Sequence, residues 1–227
     1  MEGPFADMTY DLVFKKVFTD KEILFGFLNA IGAAGENLTI TSINNVERPE
    51  ANATVVYDIH CTLSNNISII IELQKAQQRS QICDRIIRYV ARDYSVQARK
   101  KGSSYLLDPV HAVVITCFTL NSEASRSGSL LQVYERFCSK GDPEENLLAR
   151  YKQLNHDLWI QLPLAPEEID LDSTELEKWT FLLAKSHMMG STPPAPLMSS
   201  EPLKRYVACP LGHLFMHHVN LLIARMG

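Results

Sequence analysis

Several common functional classes are excluded by what this chain lacks. No run reaches the roughly 18 to 20 consecutive apolar residues that a membrane-spanning helix needs, so no membrane partner is expected. Five cysteines are present: Cys61, Cys83, Cys117, Cys138 and Cys209. Their number is odd and no CxxC spacing occurs, which argues against a disulfide framework and for reduced thiols in an intracellular protein, cytoplasmic or nuclear. Neither GxxxxGK nor GxGxxG appears, so no phosphate-cradling nucleotide loop is expected, and the absence of G-x-S-x-G removes the hydrolase nucleophile elbow. Positive charge is not in excess. Lys and Arg total 22 against 26 Asp and Glu, a net charge of −4, so any nucleic-acid contact must come from a local patch. The N-terminus carries Glu2 and Asp7 and no apolar signal core, so secretion is not expected and the three Asn-x-Ser/Thr sequons are attributed to chance. No internal repeat is visible.

What is present is ordinary for a globular protein: 227 residues, 46% hydrophobic and 21% charged, enough for one domain with an appendage. Periodicity predicts a helical stretch from Tyr10 to Ala33, with Asp20 capping a break inside it and Gly32 and Gly35 ending it. A strand follows from Leu38 to Val46. The strongest helix signal runs from Lys75 to Lys101, with Ile82, Cys83, Ile86, Ile87, Val90 and Tyr94 on one face. Gln78, Gln81, Arg85, Arg88, Arg92 and Arg99 share a stripe of roughly 80° on the other, at about 100° per residue. Val110 to Leu120 is a continuous apolar run of the kind found inside a doubly covered sheet. Leu130 to Cys138 and His156 to Leu164 are further strands, and Ser173 is the expected cap of a helix through Lys185. Residues 190–202, with four prolines and several serines, read as a linker between a domain at 1–189 and an apolar, His-containing tail at 203–227. Strands between flanking helices make an α/β fold with a central mixed sheet.

The chain is organised around Tyr57 to Gln74. Thr54 to Leu63 and Ile67 to Gln74 read as the arms of a β-hairpin turning at Ser64-Asn65-Asn66. Each apolar arm contains an acid, Asp58 and Glu72. Pairing about Asn65 sets these two opposite each other, and strand alternation places Glu72 and Gln74 on one face with Leu73 on the other. A carboxylate in a buried strand is costly unless a partner or a metal compensates it. Two carboxylates and an amide converging on one spot suit a hard divalent cation such as magnesium. The alternative is an edge hairpin whose polar residues face water.

An Asp, a turn and then Glu-x-Gln on the next strand resembles the PD-(D/E)xK nuclease superfamily in its transposase-like, recombination-promoting branch, where Glu72-Leu73-Gln74 stands for the usual Glu-x-Lys. Asp11-Leu-Val-Phe-Lys-Lys-Val-Phe18 is similar to that family's opening helix. Arg85 and Tyr89 match its Arg…Tyr helix after the Glu-x-Gln strand. Tyr105-Leu-Leu-Asp-Pro-Val110 and Leu176-Glu-Lys-Trp-Thr-Phe181 also match, and the likeness spans roughly residues 7 to 185.

The resemblance implies a restriction-endonuclease-like core and a magnesium- or manganese-dependent DNA endonuclease. Such an enzyme would cut phosphodiester bonds by in-line attack of a water activated by the cation. Asp58, Glu72 and Gln74 are the expected catalytic residues, with Asp58, Glu72 and the Leu73 carbonyl as metal ligands. Asp11 and Lys15 are expected as supporting residues, the alternative being a plain i,i+4 surface pair. Arg85, Tyr89, Arg88 and Arg92 are the expected DNA contacts, the alternative being a solvated Arg face; DNA is the implied partner, and homo-oligomerisation stays open. Gln in place of Lys supplies no charge and suggests slower chemistry. From another class, the fold would serve as a catalytically inactive module for DNA binding or protein interaction. Cys209, His213, His217 and His218 in the tail are a weaker soft-metal candidate.

Overall fold

The computed structural model describes residues 5–34, 38–44, 58–75, 79–101, 106–119, 129–135 and 156–209. It divides into two compact units, Gly35–Gln161 and the pair of segments Met1–Ala34 and Leu162–Gly227.

The first of these units is a six-stranded mixed sheet with one long helix. The strands are β1 (Ile40–Asn44), β2 (Ile59–Leu63), β3 (Ser68–Gln74), β4 (Val110–Thr116), β5 (Leu131–Glu135) and β6 (His156–Gln161), in the order β1-β2-β3-β4-β6-β5. β3, β4 and β6 run parallel, while β1, β2 and β5 pair antiparallel with their neighbours. The hairpin therefore sits inside the sheet and not at its edge. Its register pairs Ile59 with Ile71 and Thr62 with Ser68, and the line continues to set Asp58 opposite Glu72. The turn closes through Leu63 N–H to the Ile67 carbonyl at 2.9 Å, and Asn66 takes the left-handed conformation at φ 66° that its short amide side chain tolerates. The stretch 54–57 of the expected first arm lies outside the described residues.

The parallel strands β3 and β4 need a crossover, which α3 (Arg79–Lys101) supplies. It packs on the face that carries Ile70, Val110, Ala112, Val114 and Trp159, burying Ile82, Ile86, Tyr89 and Val90 against them. This corrects the sequence reading of the helix. Cys83 and Ile87 face outward, Ile87 at 58% exposure, and Tyr89 and Asp93 are turned inward. The apolar stripe is rotated because the sheet beneath α3 is polar at one end and calls for polar partners. On the opposite face Ile69, Ile71, Val113 and Ile115 are fully buried, so the central strands are closed on both sides, as their unbroken apolar runs require.

The other unit is helical. α1 (Asp11–Val17) and α2 (Lys21–Ala30) are separated at Asp20, whose carboxylate caps α2 by accepting from Glu22 and Ile23 amides at 2.9 and 3.3 Å. α2 ends in a Schellman motif: Ala33 N–H reaches the Leu28 carbonyl, Gly32 N–H reaches that of Asn29, and Gly32 takes φ 71°. α4 (Glu175–Lys185) is capped by Thr174, not Ser173. Thr174 and Glu177 form a reciprocal capping box, while the Ser173 hydroxyl is drawn back to Asp170. Trp179, fully buried in α4, meets Phe27 edge to face, with ring centroids 5.8 Å apart, and Phe18 at a tilt, 6.3 Å away. The stretch that reads as linker by composition contains a 3-10 turn at Ala195–Met198, and α5 (Glu201–Ala208) begins within it. Leu197, Leu203 and Tyr206 are all fully buried there, which proline content alone did not reveal. No helix among the described residues is long and apolar enough to cross a membrane.

Candidate active site

The α3-facing side of the hairpin carries a sequence of polar groups at one end. Alternation along β3 puts Ser68, Ile70, Glu72 and Gln74 on that side, and Asp58 stands across from Glu72 just before β2 begins. Asp58 Oδ2 accepts the Leu73 N–H at 2.8 Å. That bond ties the acid to the backbone of the neighbouring strand and shows that Leu73 presents its amide edge toward β2. Residues in a strand direct their N–H and C=O to the same neighbour, so the Leu73 carbonyl faces the Asp58 side as well, while the Gln74 carbonyl turns to β4 and accepts from Cys117 at 3.0 Å.

Glu72 is 3% exposed and lies level with Val114 of β4. An ionised carboxylate cannot sit in such a place without compensation. Arg85, reaching down from α3, supplies it: its Nη2 lies 3.2 Å from Glu72 Oε1 and also donates to Gln74 Oε1. Arg85 is 38% exposed, so the pair joins a buried anion to a cation at the rim. It also corrects the assignment of Arg85 to an outward Arg stripe. Arg88 is exposed and Arg92 half-buried, while Arg85 turns inward to the sheet. Together with Gln81, Asp84 and Arg88, Arg85 lines an open cleft of about 280 Å³.

Tyr89, one turn further along α3, is 7% exposed. Burial, then the negative charge of Glu72 and, more weakly, that of Asp58, push its hydroxyl up to about 12 against the relief offered by Arg85. Both acids thus act on one phenol, which places them in one locality. At neutral pH this phenol keeps its proton and is a hydrogen-bond donor, not a base.

The remainder of α3 is held down by groups that sequence reading did not single out. Asp93, 7% exposed, faces His60 of β2, with His60 Nε2 3.7 Å from Asp93 Oδ1. Burial alone would raise the Asp93 carboxyl, but His60, Ser68 and Gln97 outweigh it and hold the group below the usual carboxylate range. Gln97 in turn accepts from the Asp108 amide at 2.8 Å and donates to its carbonyl at 3.3 Å, which fastens the helix to the approach to β4. The available signal was positional: His60 lies two residues from Asp58 on the same strand face, and Asp93 one turn beyond Tyr89 on the same helix face.

Asp11 and Lys15, expected as supporting residues, form a 2.8 Å i,i+4 ion pair on α1. Cys209 is half-buried, and His213, His217 and His218 lie outside the described residues. Among the described residues no group of three or more His, Cys, Asp or Glu side chains converges as a metal cluster.

No curated protein and no solved structure gives a significant match to this chain. A family model does: PD-(D/E)XK nuclease family transposase matches residues 8–206, which runs past the expected likeness at its C-terminal end. Acid, acid and amide in their expected order, with Arg85 and Tyr89 on the following helix, fall within that match, and the chain belongs to the family of PD-(D/E)XK nuclease transposases.

Proposed function

We propose that this protein is a divalent-metal-dependent DNA endonuclease that hydrolyses phosphodiester bonds in transposase-like DNA processing. The observation that carries the reading is the alignment of Asp58 with Glu72 across β2 and β3, beneath Arg85 and Tyr89.

The donor set fits a hard cation. Two carboxylates and a strand carbonyl on neighbouring strands, close to the Arg85 that borders the cleft, are oxygen ligands of the type magnesium or manganese takes while keeping several waters. Asp58, Glu72 and the Leu73 carbonyl would hold the ion. When bound, it would neutralise the scissile phosphate and acidify a water for attack. The protein's own groups then have distinct tasks. The Asp58 bond to the Leu73 amide fixes that acid's rotamer before any ligand arrives. Gln74 offers amide hydrogens that orient a water without adding charge. Arg85 and Arg88 present guanidinium groups to phosphate oxygens, contacts that give affinity without base specificity. Tyr89, protonated, donates a hydrogen bond and takes no proton.

The neutral Gln74, with its carbonyl oxygen engaged by Arg85, favours as a second reading a binding module without catalysis. One experiment separates the two. On the nuclease reading, purified protein is expected to nick supercoiled plasmid when magnesium or manganese is supplied, and Asp58→Ala to lose the nicking while retaining its circular dichroism spectrum. Equal nicking by the variant removes Asp58 from the chemistry. DNA binding without cleavage, in protein that takes up no cation, establishes the binding module.

A further inference from the structure

Arg85 has two places to be, and the geometry points to an exchange between them: we propose that its guanidinium is the resident counter-ion of the unloaded site, and that a divalent cation displaces it from Glu72 into the cleft, where it becomes a phosphate contact. The inference rests on the nuclease reading above and adds a coupling between metal and nucleic acid to it.

The first place is inward. Glu72 is 3% exposed among the apolar side chains of the sheet, and Arg85 Nη2 stands 3.2 Å from its Oε1 while also bonding Gln74. Without a positive charge there the carboxylate would be buried at a heavy penalty. The second place is outward. The Arg85 side chain is 38% exposed and borders the open cleft shared with Gln81, Asp84 and Arg88. Asp84 offers an opposite charge in that cleft, and Arg88 a second guanidinium for an incoming anion. Nothing covalent changes in the exchange; a long side chain changes rotamer.

A cation on Glu72 removes the reason for the inward position and opposes it. The carboxylate is already neutralised, and two positive charges on one acid repel across a poorly solvated space. Three consequences follow from linkage. The guanidinium competes with the metal, so wild-type affinity for the ion is weaker than the ligands alone would give. Loading the ion turns Arg85 toward Arg88 and raises affinity for phosphate. By reciprocity, nucleic acid tightens the metal by the same factor. The site then arms itself only when both are present, which limits idle hydrolysis and cation capture.

The test is calorimetric titration with manganese alone, on wild-type protein and Arg85→Gln. The substitution removes the charge and leaves an amide able to bond Glu72. Manganese is expected to bind Arg85→Gln about ten-fold more tightly, within the usual range of coupling factors. A calcium-dependent gain in affinity for a short DNA duplex is expected in both proteins, because the ion itself meets phosphate, and is expected to be several-fold larger in wild type, where Arg85 is released as well; an equal gain in both overturns the exchange. Unchanged or weaker manganese binding by folded Arg85→Gln overturns the exchange and leaves the nuclease reading standing. Absence of manganese binding in both proteins overturns the nuclease reading, and the exchange with it. Should Arg85→Gln fail to fold, the Arg85 Nε–H resonance of isotope-labelled wild-type protein decides: it shifts on addition of calcium if the guanidinium leaves Glu72, and an unmoved resonance in calcium-loaded protein refutes the exchange.

Discussion

Removing Arg85 should cost far more stability than removing its partner Glu72, although the two form one ion pair. The reason is their unequal burial: 38% exposure for the Arg85 side chain against 4% for that of Glu72. Truncation of one partner of a buried pair costs about 3–5 kcal/mol because it strands a charge in a dry place. Arg85 lies at the rim, where water screens part of the interaction, so the expected loss for Arg85→Ala is nearer about 2–3 kcal/mol. Glu72→Leu strands nothing. The carboxylate gives way to an apolar side chain among Ile70, Val114 and their neighbours, and Arg85 turns to solvent. Its stability should fall within about 1 kcal/mol of wild type. The double variant should then regain most of what Arg85→Ala lost, a coupling visible in a double-mutant cycle. The measurement is urea denaturation of the four proteins at neutral pH, compared at equal m-values. Magnesium provides a second axis. Saturating it should restore about 2–3 kcal/mol to Arg85→Ala, as expected for a ligand at about 100 times its Kd, and nothing to Glu72→Leu. A Glu72→Leu variant less stable than Arg85→Ala, or a double variant as unstable as the sum of the singles, would refute the argument.

Other consequences are simpler to state. A Cβ at Gly26 of α2 would overlap the Pro202 ring in α5, its nearest neighbour being Pro202 Cβ, so Gly26→Ala should lower stability by about 1–3 kcal/mol, and Gly26→Ala with Pro202→Gly, which removes that atom, should recover part of it in thermal melts. An unaltered melting temperature for Gly26→Ala would show that the two helices do not approach so closely. Asp93 has its folded-state acidity strengthened by His60, Ser68 and Gln97 despite its burial, so its contribution is present above the unfolded carboxylate value of about 3.9 and is lost as pH falls through the lower folded value. Asp93→Asn should therefore flatten the acid limb of the stability profile, and an acid limb parallel to wild type would remove Asp93 from that role. Burial pushes the Cys61 thiol up to about 12, whereas Cys83 is exposed on α3. Brief alkylation of native protein followed by peptide mapping should mark Cys83 and spare Cys61; labelling of Cys61 at a comparable rate would mean that β2 opens readily.

Much of this fold was legible because local chemistry agreed with it. The break at Asp20, the stop at Gly32 and the turn at Asn65-Asn66 each need only a few adjacent residues: a carboxylate for free amides, or a backbone free to turn left-handed. Where two caps competed, sequence was a weaker guide. Ser173 and Thr174 are both good N-caps, and Glu177, three residues after Thr174, settled the matter by reciprocal bonding. The stretch 190–202 holds a 3-10 turn and the start of a helix that composition did not indicate, because proline and serine suit both as well as they suit a linker.

By itself the sequence determined the hairpin, its register and the shared face of Glu72 and Gln74, since a period of two and a turn centre leave a strand pair little freedom. It also determined that α3 follows and carries a line of arginines. Only the tertiary structure decided which way α3 is rotated. Helix periodicity records that one face is apolar, but the sheet beneath is apolar only in part, and the buried charges of Glu72 and Asp93 are counted in no helical pattern. Those charges draw Arg85 inward to Glu72 and set Asp93 against His60, so that a helix read as a solvent-facing basic stripe becomes one wall of the site.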